Sequence, residues 1–139
     1  MGLATANDLE LVLPSQAQMA LDESGVNPME TDPHGFRERC LRRIEQGRTW
    51  VLVEGGELLF KAEVISETAE VTYLEGVWVN PNARGAQLGL RCISQLGRTL
   101  LANTQSLCIL VNEKNVAARN MYQRAGFKLR GIYDTIFVC

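Results

Sequence analysis

Two apolar rhythms alternate along the chain. From residue 71 to 79, VTYLEGVWV is an apolar run rich in β-branched and aromatic residues, which predicts a strand. From residue 88 onward, Leu88, Cys92, Ile93, Leu96 and Leu100 recur at helical spacing and predict a helix with one buried stripe. Between the two, Asn80-Pro81-Asn82 ends the strand, because proline cannot extend a ladder and holds the residue before it extended. Arg84-Gly85-Ala86-Gln87-Leu88-Gly89 then carries the chain into the helix. A glycine-bearing turn feeding a helix N-terminus leaves several backbone N–H groups pointing one way in a positive field. That is a ready site for a phosphate or pyrophosphate. Two familiar phosphate loops are excluded, since neither the Walker pattern GxxxxGK followed by Ser or Thr nor GxGxxG occurs.

The same reading orders the rest of the chain. Residues 3–5 look like the end of a short first strand. A helix then starts at Thr5 or Asn7 and runs to Ser24-Gly25, with Leu9, Val12, Leu13, Gln16 and Met19 or Ala20 inward and Pro14 expected to kink or split it. Residues 26–31 read as a loop. Asp32-Pro33 starts a second helix, closed by Gly47, with Phe36, Cys40, Leu41 and Ile44 inward and Arg37, Arg39, Arg42 and Arg43 as a solvated basic face. Residues 49–53 and 58–64 read as a hairpin around Glu54-Gly55-Gly56-Glu57. Residues 106–111 (SLCILV) predict a strand buried on both faces. Asn115 caps a helix to about Ala125, Gly126 closes it, and residues 128–130 and 133–138 finish as strands. The alternation predicts an α/β (α+β) domain over residues 1–139, with about six to seven strands and a short first strand.

Composition narrows the function classes. A length of 139 residues suits one core, and 46% apolar with 22% charged residues is ordinary for a globular domain. A net charge of −2 gives no reason to expect nucleic acid or an anionic membrane as partner. No apolar run approaches the ~20 residues of a membrane span, and the N-terminus lacks a signal-peptide pattern. Cys40, Cys92, Cys108 and Cys139 form no CxxC pair; the first three read as buried free thiols, so a reducing cytoplasm is expected. With His34 as its single histidine, no metal site is expected.

Two motifs together resemble the GNAT N-acetyltransferase superfamily, with the closest impression that of bacterial single GNAT domains. The first is the Val79-Asn80-Pro81 strand end followed by Arg84, Gly85 and Gly89. It is similar to that family's acyl-CoA pyrophosphate loop, although Gln87 stands where the family usually has glycine. The second is NVAARNMYQRAGF, whose Asn115, Ala118, Tyr122, Gly126 and Phe127 match the family's second signature. The resemblance covers nearly the whole chain. It implies a mixed central sheet flanked by helices, with a splayed central strand pair that holds acetyl-CoA or another acyl-CoA as co-substrate. It assigns the backbone of Val77, Trp78 and Val79 to the pantetheine arm. It assigns the N–H groups of Arg84, Gly85, Ala86, Gln87, Leu88 and Gly89 to the pyrophosphate, and Asn115 and Tyr122 to the region near the thioester. It also implies that the abrupt start at Met1 suits a minimal or truncated version.

The implied chemistry is acyl transfer from a thioester to a small-molecule or peptide amine by direct attack in a ternary complex. An ammonium near pKa ~10.4 must lose a proton to become nucleophilic. The tetrahedral oxyanion needs a fixed donor, for which the N–H of Val77 or Trp78 is placed. The leaving thiolate benefits from a proton donor, and Tyr122 matches the family's general acid; the plainer alternative is a packed tyrosine. Glu75 stands beside Gly76, where a bulge would turn its carboxylate into the cleft, and is the best candidate base, the alternative being a solvated carboxylate. Glu63 and Tyr73 are weaker candidates. Glu23, Glu30 and Asp32, on the side that the family uses for the acceptor, would suit a cationic amine. Assembly as a homodimer is left open. The rival reading, which Gln87 favours, is a degenerate GNAT domain that binds CoA or another ligand, or serves as an interaction module, without turnover.

Overall fold

In a computed structural model, described over residues 1–83, 87–112, 114–129 and 131, five strands form one sheet in the order β1-β2-β3-β4-β5. The strands are β1 (Gly2–Leu3), β2 (Thr49–Glu54), β3 (Glu57–Glu67), β4 (Val71–Val79) and β5 (Ser106–Ile109). The first four are antiparallel neighbours, and β5 joins β4 in parallel after a helical crossover. The helices are α1 (Leu9–Ser24), α2 (Pro28–Thr31), α3 (Pro33–Glu45), α4 (Leu88–Leu101) and α5 (Val116–Arg124).

The helices divide between the two faces of the sheet. On one face Leu9, Val12, Leu13 and Ala17 of α1 and Phe36, Cys40 and Ile44 of α3 pack with Val51 and Leu58. On the other, Cys92, Ile93, Leu96 and Leu100 of α4 and Tyr122 of α5 pack with Phe60, Ala62, Val64 and Leu74. Strand side chains alternate between faces, so β2, β3 and β4 serve both cores, while β5 contributes Leu107 and Ile109 to the α4–α5 side.

Local chemistry explains most element ends. Asp32 accepts from the N–H of Gly35 at 3.1 Å and caps α3, with Pro33 at the first helical position. Gly47, at φ +70°, donates to Ile44 while the N–H of Arg48 donates to Arg43, which closes α3. Asn115 accepts from Ala118 and caps α5.

Several expectations need correction. The described sheet has five strands rather than six or seven: Lys128 and Leu129 lie outside any strand, and residues 130 and 133–138 fall outside the described residues. Residues 26–31 contain the short helix α2, because Asn27 caps Met29 and Pro28 begins a helix readily. Pro14 does not split α1; it lies on the exposed side, while Leu9, Val12, Leu13 and Ala17 hold the helix to the sheet. Strand β5 alternates exposed and half-buried residues and leaves Cys108 exposed, with a ladder to β4 and to no other strand among the described residues. Cys40 and Cys92 are buried as expected, and Cys139 lies outside the described residues. The basic face of α3 is exposed at Arg37, Arg39 and Arg42 as expected, though Arg37 pairs with Glu10 and Arg39 lies 3.6 Å from Asp32; only Arg43, half-buried, departs from it by reaching the buried Glu63.

Ile93 is fully buried between α4 and the sheet. Ile93→Ala should therefore lower the unfolding free energy by about 2–5 kcal/mol in chemical denaturation, through lost transfer energy and the cavity left behind.

Candidate active site

Strand β4 changes partners along its length, and this creates the site. Its parallel ladder with β5 runs from Val71↔Ser106 to Leu74↔Ile109 and ends there. Past that point β4 continues for five residues with β3 as its one strand partner among the described residues. The register with β3 also shifts: Glu63 pairs with Glu75 and Lys61 with Trp78, so Gly76 and Val77 together face the single residue Ala62. This is the bulge expected beside Glu75, and Gly76 takes it at φ +62°, which a glycine accepts without strain.

The bulge sorts the candidate residues onto two faces. Glu75 is exposed on the α1 side of the sheet, where the Tyr73 hydroxyl donates to its Oε1 at 3.4 Å. Burial, and secondly the Glu75 carboxylate, push the Tyr73 phenol up to about 12. Val77 and Val79 pack on the opposite, α4–α5 side. Trp78 points back to the α1 side, where it lines a groove of about 350 Å³ with Glu10, Pro14 and Asn80. The Trp78 side chain thus lies on the face of the sheet opposite Tyr122.

Tyr122 belongs to the α4–α5 core at 8% exposure, and its ring meets Phe127 edge-on at a centroid distance of 6.0 Å. Desolvation pushes its phenol up to about 12. It therefore keeps its proton throughout the neutral range, as a donor must. Asn115 is committed in part to structure: its Oδ1 caps α5, which leaves its amide nitrogen to reach a ligand.

The turn before α4 is held at its start by Asn80. This buried side chain donates to the Leu58 carbonyl at 2.9 Å and to Glu57 at 3.0 Å, and accepts from the N–H of Asn82 at 2.9 Å. The sequence marks Asn80 only as the residue before a proline. Arg84, Gly85 and Ala86 lie outside the described residues. Gln87 adopts the left-handed conformation, φ 58° and ψ 20°, as the N-cap of α4, and its side chain caps nothing. The helical geometry that would let Gln87 stand in cheaply for glycine is absent. Glycine suits this position for its backbone freedom as much as for its missing side chain. The first bond of the helix is from Arg91 to the Gln87 carbonyl, so the N–H groups of Leu88 and Gly89 stand ahead of it at the helix terminus. Gly89 also has a packing role that spacing did not disclose: a Cβ there would lie 2.9 Å from Val79 Cγ2 and 2.7 Å from Met121 Sδ.

The remaining candidates separate. Glu63 is buried between Arg43 and Lys61 and is not placed to take a substrate proton. Asp32 is used as the α3 cap. Glu23 and Glu30 are exposed. Lys61 and Gln16, which reasoning from sequence did not single out as site residues, meet directly beneath the bulge. The signal available for Lys61 was a charged residue in the middle of the apolar run LLFKAEV. Among the described residues no group of His, Cys, Asp or Glu is placed to hold a metal ion, and no helix is long and apolar enough to cross a membrane.

Residues 56–138, more than half of the chain, match the family described as FR47-like protein. The chain belongs to this family, within the GNAT superfamily. Solved structures with the same fold include a putative acetyltransferase from Agrobacterium tumefaciens, at 18% identity and a TM-score of 0.72, covering 98% of this chain and 97% of that one. A predicted acetyltransferase from Clostridium acetobutylicum, solved with acetyl-CoA, shares 15% identity over 96% of this chain and 92% of its own, with a TM-score of 0.72. The aminoglycoside N-acetyltransferase AAC(6')-Iy in complex with CoA shares 14% identity over 98% and 97% of the two chains, with a TM-score of 0.69. No curated protein matches the sequence.

A non-glycine residue in the left-handed region costs roughly 1–2 kcal/mol, against roughly 0.4–1 kcal/mol for the extra freedom of glycine in the unfolded chain. Gln87→Gly should therefore stabilise the protein by up to ~1 kcal/mol in denaturant titration and tighten CoA binding in calorimetry. Weaker binding by the glycine variant would make Gln87 a ligand contact instead.

Proposed function

We propose that this GNAT-family chain is an N-acyltransferase that moves an acetyl or other acyl group from acyl-CoA to an amine in a ternary complex. The observation that carries the reading is the end of the β4–β5 ladder at Leu74, with Tyr122 on one face of the sheet and Glu75 on the other. Such an opening lets a thioester enter from the α4–α5 side and an amine from the α1 side. The pantetheine arm would lie along the β4 backbone at Val77 to Val79, and the pyrophosphate at the turn and α4 N-terminus formed by Arg84 to Gly89. The amide nitrogen of Asn115 would contact the arm.

In the reaction, Glu75 takes a proton from the ammonium through water, and the amine nitrogen forms a bond to the thioester carbon. The carbonyl π electrons move to the oxygen, and the Val77 N–H donates a hydrogen bond to the resulting oxyanion. The nitrogen gives its second proton to water, the intermediate collapses by breaking the C–S bond, and Tyr122 donates its proton to the departing thiolate and regains one from solvent. The products are an amide and CoA. The exposed Glu23 and Glu30 favour a cationic acceptor, a class that includes the aminoglycosides named for one neighbour. The setting is taken as cytoplasmic, with residues 1–139 as one GNAT domain.

The first test is a thermal-shift titration with acetyl-CoA, which should raise the melting temperature by mass action. A panel of amines, including an aminoglycoside, is then followed by thiol release. Binding without thiol release from any amine would favour the degenerate, non-catalytic reading that Gln87 suggests.

Tyr122→Phe should lower turnover on the order of ten- to a thousand-fold with CoA affinity little changed. Because burial raises the phenol to about 12, its proton is present below the ordinary tyrosine value and is lost only as pH rises through about 12. Any fall in rate between pH 8 and 10, in a profile measured at saturating acetyl-CoA, must therefore come from another group.

Glu75→Gln removes a charged acceptor while keeping its size. Its pH–rate profile should lose or shift the limb that reports the base. An unchanged profile would transfer proton removal to water alone.

A further inference from the structure

Lys61 lies in the middle of β3 with its side chain fully buried. Its Nζ donates to Gln16 Oε1 of α1 at 2.6 Å and to the carbonyl of Gly76 at 2.8 Å, and sits 3.5 Å from Glu63 Oε1. The three donors of the ammonium thus face three acceptors. The other oxygen of Glu63 accepts from Arg43 at 3.0 Å, so the carboxylate is held from two sides. Desolvation pushes the Lys61 amine down, while Glu63 pushes it back up. Placing an ammonium in a core is costly, and an apolar residue of similar size commonly serves stability as well or better. The ammonium therefore calls for a role beyond packing.

The geometry of the bulge supplies one. The peptide between Gly76 and Val77 is the extra unit in β4, and its carbonyl is turned toward the α1 face, onto Lys61. The chain has no cis peptide among its described residues, and a trans peptide directs its N–H opposite to its C=O. Holding the Gly76 carbonyl on the α1 side therefore aims the Val77 N–H to the other side, where Val77, Val79 and Tyr122 pack. Removing the ammonium would leave a half-buried carbonyl without this donor and release the constraint on the peptide. The ammonium also polarises the amide from behind, which strengthens its N–H as a donor. A fixed donor backed by a buried positive charge is what a developing oxyanion requires.

We propose that Lys61 is a positioning residue for acyl transfer: by holding the Gly76 carbonyl it aims the Val77 N–H at the thioester oxygen of bound acyl-CoA. This rests on the acyltransferase reading. Gln16 and the Glu63–Arg43 pair keep the ammonium in place, and Gly76 leaves room for it, since a Cβ there would lie 3.1 Å from Nζ.

The test needs no knowledge of the acceptor. Acetyl-CoA labelled with 13C at the thioester carbonyl is bound to 15N-labelled wild type and to Lys61→Met, and unlabelled CoA is titrated calorimetrically into both. In wild type the bound carbonyl resonance should move downfield of free acetyl-CoA, and the Val77 amide should respond to acetyl-CoA more than to CoA. In Lys61→Met most of that carbonyl shift should vanish while CoA affinity stays within about twofold, because the phosphate contacts are untouched. If the single variant folds poorly, Lys61→Met/Glu63→Gln also removes the buried carboxylate charge and takes its place. A variant that keeps the wild-type carbonyl shift overturns the proposal. So does a variant in which CoA and acetyl-CoA binding weaken together, which would reduce Lys61 to shaping the gap. Failure of wild type to bind acetyl-CoA would instead overturn the acyltransferase reading itself.

Discussion

A single backbone irregularity, the two-for-one pairing of Gly76 and Val77 against Ala62, conditions the geometry around it. A bulge bends and further twists its strand. Here it lies two residues beyond the last β4–β5 pair, so the strands cease to bond where the backbone changes direction. It also resets which side chains face which core: Tyr73 and Glu75 precede it on the α1 side, and Val77 and Val79 follow it on the α4–α5 side. A glycine at φ +62° permits the turn and the Lys61 ammonium holds it.

The energetics of the fold leave room for such a feature. Apolar layers on both faces of the sheet supply the burial, with Phe60, Leu74, Ile93 and Leu96 buried almost completely. Against that background a polar cluster of Lys61, Glu63, Gln16 and Arg43 is tolerable because each charged group has a partner. The cluster ties α1, α3, β3 and the β4 bulge together, so the rigidity of the site derives from several elements that are distant in sequence.

The αL backbone of Gln87 illustrates the tension between local preference and site geometry. The chain enters α4 with a positive φ at Gln87, the last residue before the helix. A side chain longer than glycine is held there at an energetic cost. At the other end of the turn, the Asn80 side chain pins the strand end to the β2–β3 hairpin through Leu58 and Glu57.

Much of this was legible in the sequence. The bounds of β4 follow from its apolar run and Pro81, the start of α3 from Asp32-Pro33, and the cap of α5 from Asn115, because each depends on interactions within a few residues. The two GNAT-like motifs pointed to the family for the same reason: strand, turn and helix are written contiguously. A bulge at Gly76 could also be anticipated from a glycine beside a carboxylate in a strand. What the sequence could not decide depended on partners far along the chain. The exposure of Cys108 reflects how much of β5 is covered, which no periodicity encodes. The division of the α3 arginines among Glu10, Asp32 and Glu63 depends on where α1 and β3 pass. The left-handed backbone at Gln87 is imposed by the docking of α4, with Gly89 lying against Val79. The position of Lys61 beneath the Gly76 carbonyl exists only once β3, β4 and α1 have packed, since a buried ammonium takes its meaning from acceptors 15 and 45 residues away.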